Sequence, residues 1–473
     1  PMKKLFTLSI CLILEAFSTS RPNIILVMSD DHGYGDCGFT GHPFVQTPHL
    51  DDMAKSGVVF NQFYASAPVC SPTRASVLTG RHPFRVNVPN HGHYLRPHET
   101  TIAEKLKEAG YLTGHFGKWH IGSVQPDSPT SPGGAGFDEW LSGLNFFDNN
   151  PYLSRNGNFE QIEGSGTVIT MDATLAFLEK YHQGPKPLFI VTWFPSPHAP
   201  HREVPQDMPN ASTLYNEQRT GMKGYFREIT LLDQQVGRLR KKLQECKLTD
   251  NTLLFYCSDN GGLDPKTSGG RERKGSIYEG GLRVPAILEW PNRFSAKEVN
   301  TPCITSDLYP TLLSIAGIEK EKDQPPLDGI NLMPILYGKK NKRPPFGFWY
   351  GFRNGQSTWN DRIIKDLLDA QKSGNPTPYP ERILKNVNEF ETFDPDNLLG
   401  HAAWNAWPWK LHRIQTKEET YYELYNLEKD PMESQNLVVT QKKRVQSMTN
   451  ALESWQKSVL QSWSGKDYEK SEK

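Results

Sequence analysis

The sequence predicts an α/β protein: a large, mainly parallel sheet flanked by helices, with a smaller C-terminal α+β subdomain containing an antiparallel sheet. Three observations predict it. Nearly unbroken apolar runs at residues 23–28, 188–194, 252–257 and 284–290 have the length and continuity of strands buried on both faces. Helical periodicities at residues 101–109, 168–181, 224–243 and 306–315 alternate with them, as they do where helices cover both sides of a parallel sheet. Polar clusters follow two of the apolar runs directly, where such a sheet presents its site.

Taken in order, the elements begin with residues 1–20. Lys3 and Lys4 precede an apolar run from Leu5 to Phe17, and Ser18-Thr19-Ser20 supply small residues at a cleavage point. This is the form of a secretory signal peptide, too short and wrongly flanked for a membrane span, and it predicts a secreted or periplasmic protein. No later run reaches the ~18 apolar residues of a transmembrane helix. After the first strand, Ser71 reads as an N-cap and Pro72 as the first position of a helix continuing over 73–79. A strand follows at 111–116. The composition changes after Gly338, at Lys339-Lys340-Asn341-Lys342-Arg343-Pro344-Pro345. This predicts a boundary between a catalytic domain at 21–342 and a C-terminal subdomain at 343–473. Within the second unit, residues 346–352, 409–414 and 421–424 read as strands and 441–463 as a closing helix. Residues 353–403 match no pattern and read as an irregular insertion.

The chain carries 53 basic and 53 acidic residues, and stays within one charge of neutrality once residues 1–20 are removed. That balance excludes a nucleic-acid binder or a protein held to membranes by a basic surface, so any anion specificity must come from a local cluster. Beyond the leader, five cysteines remain: Cys37, Cys70, Cys246, Cys257 and Cys303. An odd number in an exported chain marks one special thiol, and no C-x-x-C pair occurs to build a zinc ribbon. A Cys246–Cys257 bridge stays open, although Cys257 reads as mid-strand core.

The first strand ends in Ser29-Asp30-Asp31-His32-Gly33, and the strand at 252–257 ends in Ser258-Asp259-Asn260-Gly261-Gly262. Asp30, Asp31, Asp259 and Asn260 offer hard oxygen donors suited to Ca²⁺ or Mg²⁺ and ill suited to zinc or copper. Lys118 and His120, two apart in Gly117-Lys118-Trp119-His120, point to one side of an extended segment. His198 and His201 lie in the Pro-stiffened loop Ser196-Pro197-His198-Ala199-Pro200-His201, and Lys274 precedes Gly275-Ser276-Ile277-Tyr278-Glu279. With Arg74, these residues would give a near-neutral protein one concentrated anion pocket. Cys70-Ser71-Pro72-Thr73-Arg74 has the form C-x-P-x-R and continues as Ala75-Ser76-Val77-Leu78-Thr79-Gly80-Arg81. Position 70 then lies beside a helix N-terminus, which favours an anion.

These blocks, in this order, resemble the type I, formylglycine-dependent sulfatases, an arylsulfatase-like family of the alkaline phosphatase superfamily. The resemblance covers nearly all of residues 23–340 and the stretch 421–437. It implies that Cys70 is oxidised by a formylglycine-generating enzyme to an aldehyde whose hydrate attacks sulfur. It also implies that Asp30, Asp31, Asp259, Asn260 and residue 70 hold a divalent cation, Ca²⁺ ahead of Mg²⁺. Arg74 and Lys118 would orient the hydrate and the sulfate. His120 would be the base that lets sulfate depart, and His198 with Lys274 would protonate the leaving alcohol. The chemistry calls for such groups, because a sulfate ester repels an anionic nucleophile until fixed cations neutralise its oxygens. The expected substrate is a sulfated saccharide, with Lys118, His198, Lys274 and His201 binding it. His91-Gly92-His93-Tyr94-Leu95-Arg96 would line the opening, and Trp404-Asn405-Ala406-Trp407-Pro408-Trp409 would offer stacking faces. A phosphodiester or phosphonate monoester hydrolase of the same superfamily, and a non-catalytic sulfated-glycan binder, are the alternatives.

Overall fold

The strand β1, Asn23–Ser29, is buried along its whole length. Its side chains alternate between two cores. Ile24, Leu26 and Met28 face one cluster with Phe189, Val191, Trp193, Leu253 and Phe255. Ile25 and Val27 face the other with Ile190, Leu254 and Tyr256. Period-2 alternation with both faces apolar is what a central parallel strand requires. The computed structural model describes residues 21–202, 222–320, 324–385, 390–394 and 396–468. The leader read at 1–20 lies outside the described residues.

Among the described residues the remaining strands are β2 (Val58–Phe60), β3 (Phe63–Tyr64), β4 (Leu112–Lys118), β5 (Glu139–Gly143), β6 (Tyr152–Arg155), β7 (Asn158–Gln161), β8 (Leu188–Trp193), β9 (Thr252–Ser258), β10 (Ala286–Glu289), β11 (Lys297–Val299), β12 (Cys303–Ile304), β13 (Phe346–Tyr350), β14 (Gly400–Ala406), β15 (Trp409–Gln415) and β16 (Thr420–Asn426). Ten form one sheet in the order β11-β2-β10-β9-β1-β8-β4-β5-β6-β7. The central five, β9-β1-β8-β4-β5, run parallel, with Ser29 opposite Ser258 and Met28 opposite Trp193. Antiparallel β10 flanks them on one side and the β6–β7 hairpin on the other. Helices Pro48–Ser56, Gly166–Tyr181 and Lys223–Glu245 cover one face through Met53, Phe177, Leu232 and Leu239. Helices Cys70–Thr79, Ile102–Glu108 and Leu308–Ala316 cover the other through Val77, Leu106 and Leu312.

A second sheet, β13-β14-β15-β16, is antiparallel throughout. The helix Lys442–Trp463 packs on it, with Leu452, Val459 and Trp463 against Trp349 and Ala402.

Three readings need correction. The helix behind Cys70 starts two residues earlier than expected, with Cys70 itself in the first turn and Val69 as its cap. Ser71 is therefore not an N-cap: its Oγ accepts instead from Gly92 N at 3.0 Å. Residues 353–403 are not irregular throughout. They contain the helix Asn360–Ser373, whose Ile363, Ile364, Leu367 and Leu368 join the main core, and the first residues of β14. The tryptophans of 404–409 are packing residues. Trp404 and Trp409 lie against Leu411, Leu424 and Met448, and Trp407 lies against Tyr278, Tyr425 and Leu427.

Candidate active site

Each parallel strand delivers its residue at the same edge of the sheet. Asp30 and Asp31 follow β1, Asp259 and Asn260 follow β9, Lys118 ends β4, and His198 lies five residues beyond β8. The helix Cys70–Thr79 completes the set, placing Arg74 one turn after Cys70 and on the same face.

At the base, Arg74 is fully buried and grips Asp259 Oδ2 with Nε at 3.0 Å and Nη2 at 2.6 Å. Its Nη1 donates to the Lys118 carbonyl at 2.7 Å, and its guanidinium lies 5.1 Å from the Trp193 ring centre. One side chain therefore ties the ends of β9 and β4 to the helix that carries Cys70. Lys118 Nζ donates to Asp30 Oδ2 at 2.5 Å. Lys274 Nζ lies 2.6 and 2.7 Å from the two oxygens of Asp31, and Asn260 Nδ2 donates to Asp31 Oδ1 at 2.8 Å. Three buried carboxylates thus face three cations.

Oxygen donors dominate this base, and two are left over. Asp30 Oδ1 and Asn260 Oδ1 are buried without a partner among the described residues. Cys70 Sγ, one oxygen each of Asp30 and Asp31, and a ring nitrogen of His198 lie within 4.8 Å of one another. The donor set fits a hard divalent cation. Asp259 stands outside that tight group, held by Arg74, but accepts from Asp31 N at 3.2 Å.

Electrostatics follow from the burial. Although burial works against it, the charges of Lys118, His198 and Arg74 hold the Asp30 carboxyl well below the usual range. Burial, then the Asp30 charge, pushes the Cys70 thiol up to about 12. Burial and the nearby Lys118 and Arg74 keep His120 well below its ordinary value. Burial lowers His198 to about 4 against the pull of Asp31. Lys274 is partly buried, which works against its charge, yet Asp31 holds its ammonium above the ordinary range.

Above this base opens a cleft of about 470 Å³, lined by Cys70, His120, His198 and Lys274. His120 sits at φ 58°, and both its ring nitrogens are buried with no partner among the described residues. The His198 ring stacks on Phe146, with centroids 4.2 Å apart and planes 16° from parallel. That stack leaves Nε2 near the carboxylates, 3.8 Å from Asp31 Oδ2.

Two expected parts of the opening are elsewhere. His201 does not line the cleft: its Nε2 donates to Pro197 O at 2.9 Å, and its ring packs edge-on to Tyr225. Of the stretch 91–96 only His91 reaches the cleft. Tyr94, Leu95 and Arg96 are buried, and His93 Nε2 donates to Asn354 O at 3.0 Å. The cleft also takes Asn145 and Phe146, just past the end of β5, together with Tyr350, Ser357, Thr358 and Trp359. The first pair follows a parallel strand at the shared edge, a signal available in sequence once β5 is recognised. The last three come from the region that matched no pattern.

A family model described as Sulfatase matches residues 22–318. The chain is 31% identical over 388 residues to an N-acetylgalactosamine-6-sulfatase of Canis lupus familiaris, covering 73% of this chain and 72% of that one. It is 31% identical over 325 residues to an ulvan-active sulfatase of Formosa agariphila, covering 63% and 62%. The crystal structure of Ps i-CgsB in complex with k-i-k-neocarrahexaose superposes with a TM-score of 0.75 at 26% identity, covering 92% of this chain and 93% of that one.

Proposed function

The chain belongs to the sulfatase family and is a sulfuric ester hydrolase; on that premise we propose that it is an exported enzyme removing sulfate from a saccharide, with formylglycine made from Cys70 as nucleophile and a bound Ca²⁺. One observation carries this reading: Cys70 lies on the floor of a cleft beside Lys274, His120 and His198, directly over buried carboxylates. The family relatives named for N-acetylgalactosamine 6-sulfate and ulvan, and the neighbour solved with a neocarrahexaose, support a sulfated saccharide as substrate. A formylglycine-generating enzyme is the implied processing partner. Residues 21–342 are assigned as the catalytic domain and 343–473 as the C-terminal subdomain. Among the described residues no helix is long and apolar enough to cross a membrane.

The formylglycine hydrate would supply an oxygen nucleophile that can release sulfate by reverting to its aldehyde. Asp30, Asp31, Asp259, Asn260 and residue 70 would hold the cation, whose charge would be offered to the sulfate oxygens. The chain's own groups do the remaining work. Lys274 lines the cleft and presents its ammonium to an anion lodged there, while Lys118, fully buried on Asp30, adds positive charge from beneath. Arg74 does not reach the cleft lining; it fixes Asp259 and the helix, and so positions residue 70. His198 Nε2, held by the Phe146 stack, is assigned to protonate the ester oxygen as the alcohol leaves, a role that requires the imidazolium form that the nearby Asp31 carboxylate favours against burial. His120, with neither ring nitrogen partnered among the described residues, would take the proton whose loss lets sulfate depart.

A panel of defined sulfated mono- and oligosaccharides, scored by sulfate release, tests the reading. Turnover of at least one saccharide well above its matched phosphate ester supports it. Turnover of phosphate or phosphonate esters alone contradicts it.

A further inference from the structure

Among the large apolar side chains that stand exposed in the described residues, Trp359 alone lines the cleft, and it is 60% exposed there. An indole left in water at the mouth of a charged pocket is an unfilled contact. It is also firmly mounted. On one side of the cleft Asn90 Nδ2 donates to Arg353 O at 2.8 Å and Gln356 N donates to His91 O at 2.9 Å. Gly355 lies so close to the His91 ring that a Cβ there would be 1.9 Å from it. On the other side Asn145 Nδ2 donates to Thr358 O and Leu144 N donates to Asn360 Oδ1, both at 2.8 Å. Residues 353–360 therefore form a strap pinned on both flanks of the cleft, and Trp359 stands where the strap enters the helix Asn360–Ser373.

The cations lie at the floor, so a sulfate ester can enter only with its sulfur downward and its alcohol toward the mouth. We propose that Trp359 is a specificity-determining residue whose indole face stacks on the apolar face of the pyranose leaving group, selecting saccharide over small sulfate esters. The assignment rests on the sulfatase reading above. A pinned strap keeps the ring in place before substrate arrives, so little ordering cost opposes the contact. Stacking made equally in the ground state and the transition state alters KM and leaves kcat alone.

The test uses the full-length, formylglycine-bearing enzyme and the saccharide it turns over fastest in the panel, with inorganic sulfate as competitive inhibitor. Trp359→Ala is expected to raise KM about tenfold, the worth of burying one aromatic face, with kcat unchanged. Trp359→Phe should restore most of the loss. The inhibition constant of inorganic sulfate, which reaches only the floor, should not move in either variant. An unchanged KM in Trp359→Ala, a Phe variant no better than Ala, or a sulfate constant that rises with KM would overturn the assignment. Wild-type enzyme that releases no sulfate from any ester would overturn the sulfatase reading and this one with it, whereas saccharide turnover indifferent to Trp359 overturns this one alone.

Discussion

Replacing Arg74 with Met should destabilise the fold far more than a surface substitution does. Arg74 and Asp259 are both fully buried, and the substitution removes contacts at 2.6 and 3.0 Å to Asp259 as well as the 2.7 Å bond to the Lys118 carbonyl. Asp259 would be left inside the protein with Asp30 as its strongest charged neighbour. Breaking a buried pair by deleting one partner costs about 3–5 kcal/mol, because the surviving charge stays uncompensated. With an unfolding entropy of about 2.1 cal/mol/K per residue, a chain of this length shifts roughly 1 °C per kcal/mol, so thermal unfolding should move down by about 3–5 °C. Differential scanning calorimetry with a chelator present isolates the pair from any bound cation. Arg74→Met with Asp259→Asn removes both charges and should recover part of the loss. An Arg74→Met variant that unfolds at the wild-type temperature, or a double variant no better than the single, would refute the view that this pair clamps the base of the site.

Three further outcomes can be checked. Elemental analysis should find calcium in purified wild-type protein and its loss in Asp30→Asn, which removes a charged donor of the oxygen set; stoichiometric zinc would count against the assignment. His198→Ala should cost about 10²–10⁴-fold on a sugar sulfate, whose alcohol leaves poorly unprotonated, and much less on an activated aryl sulfate; equal losses on both substrates would make His198 a simple ligand. Burial pushes Asp233 up to about 7 even though it accepts from His49 N and Leu50 N. The folded state then holds a proton that the unfolded state loses near pH 4, so this group's contribution to stability falls as pH rises from about 4 to 7 and is flat above. Asp233→Asn should flatten that part of the stability–pH curve, and an unchanged slope in the variant would show that Asp233 does not titrate there.

Much of the fold was legible because its central strands are buried on both faces and so read as unbroken apolar runs. Residues 23–28, 188–194 and 252–257 became β1, β8 and β9 with little change of bounds. The chemistry-bearing residues were legible for a related reason. A parallel sheet gathers its strand ends at one edge, so Asp30, Lys118, His198 and Asp259 meet although they are far apart in sequence. What escaped were contacts set by tertiary packing. Ser71 has a good N-cap side chain, but Gly92 N claims it. His201 resembles a site residue by its neighbours, yet its own loop carbonyl satisfies it. The helix Asn360–Ser373 carries the helical pattern Ile363, Ile364, Leu367, Leu368 and ends at Gly374 with φ 68°. It was hidden within a stretch whose flanks are polar and Pro-containing. Trp404 and Trp409 looked available for sugar because composition cannot distinguish a packed ring from an exposed one. Trp359 is the exposed tryptophan that lines the cleft among the described residues, and the strap's course over the cleft reveals it.

The most direct measurement is sulfate released over time from the best saccharide of the panel, compared between wild type and Cys70→Ala, both made in a host that generates formylglycine. Peptide mass analysis of residue 70 should be run on the same samples. The account predicts steady sulfate release by wild-type protein carrying the aldehyde and none by a folded Cys70→Ala. Sulfate release that survives Cys70→Ala, or full activity from protein whose residue 70 is entirely unmodified thiol, would contradict it.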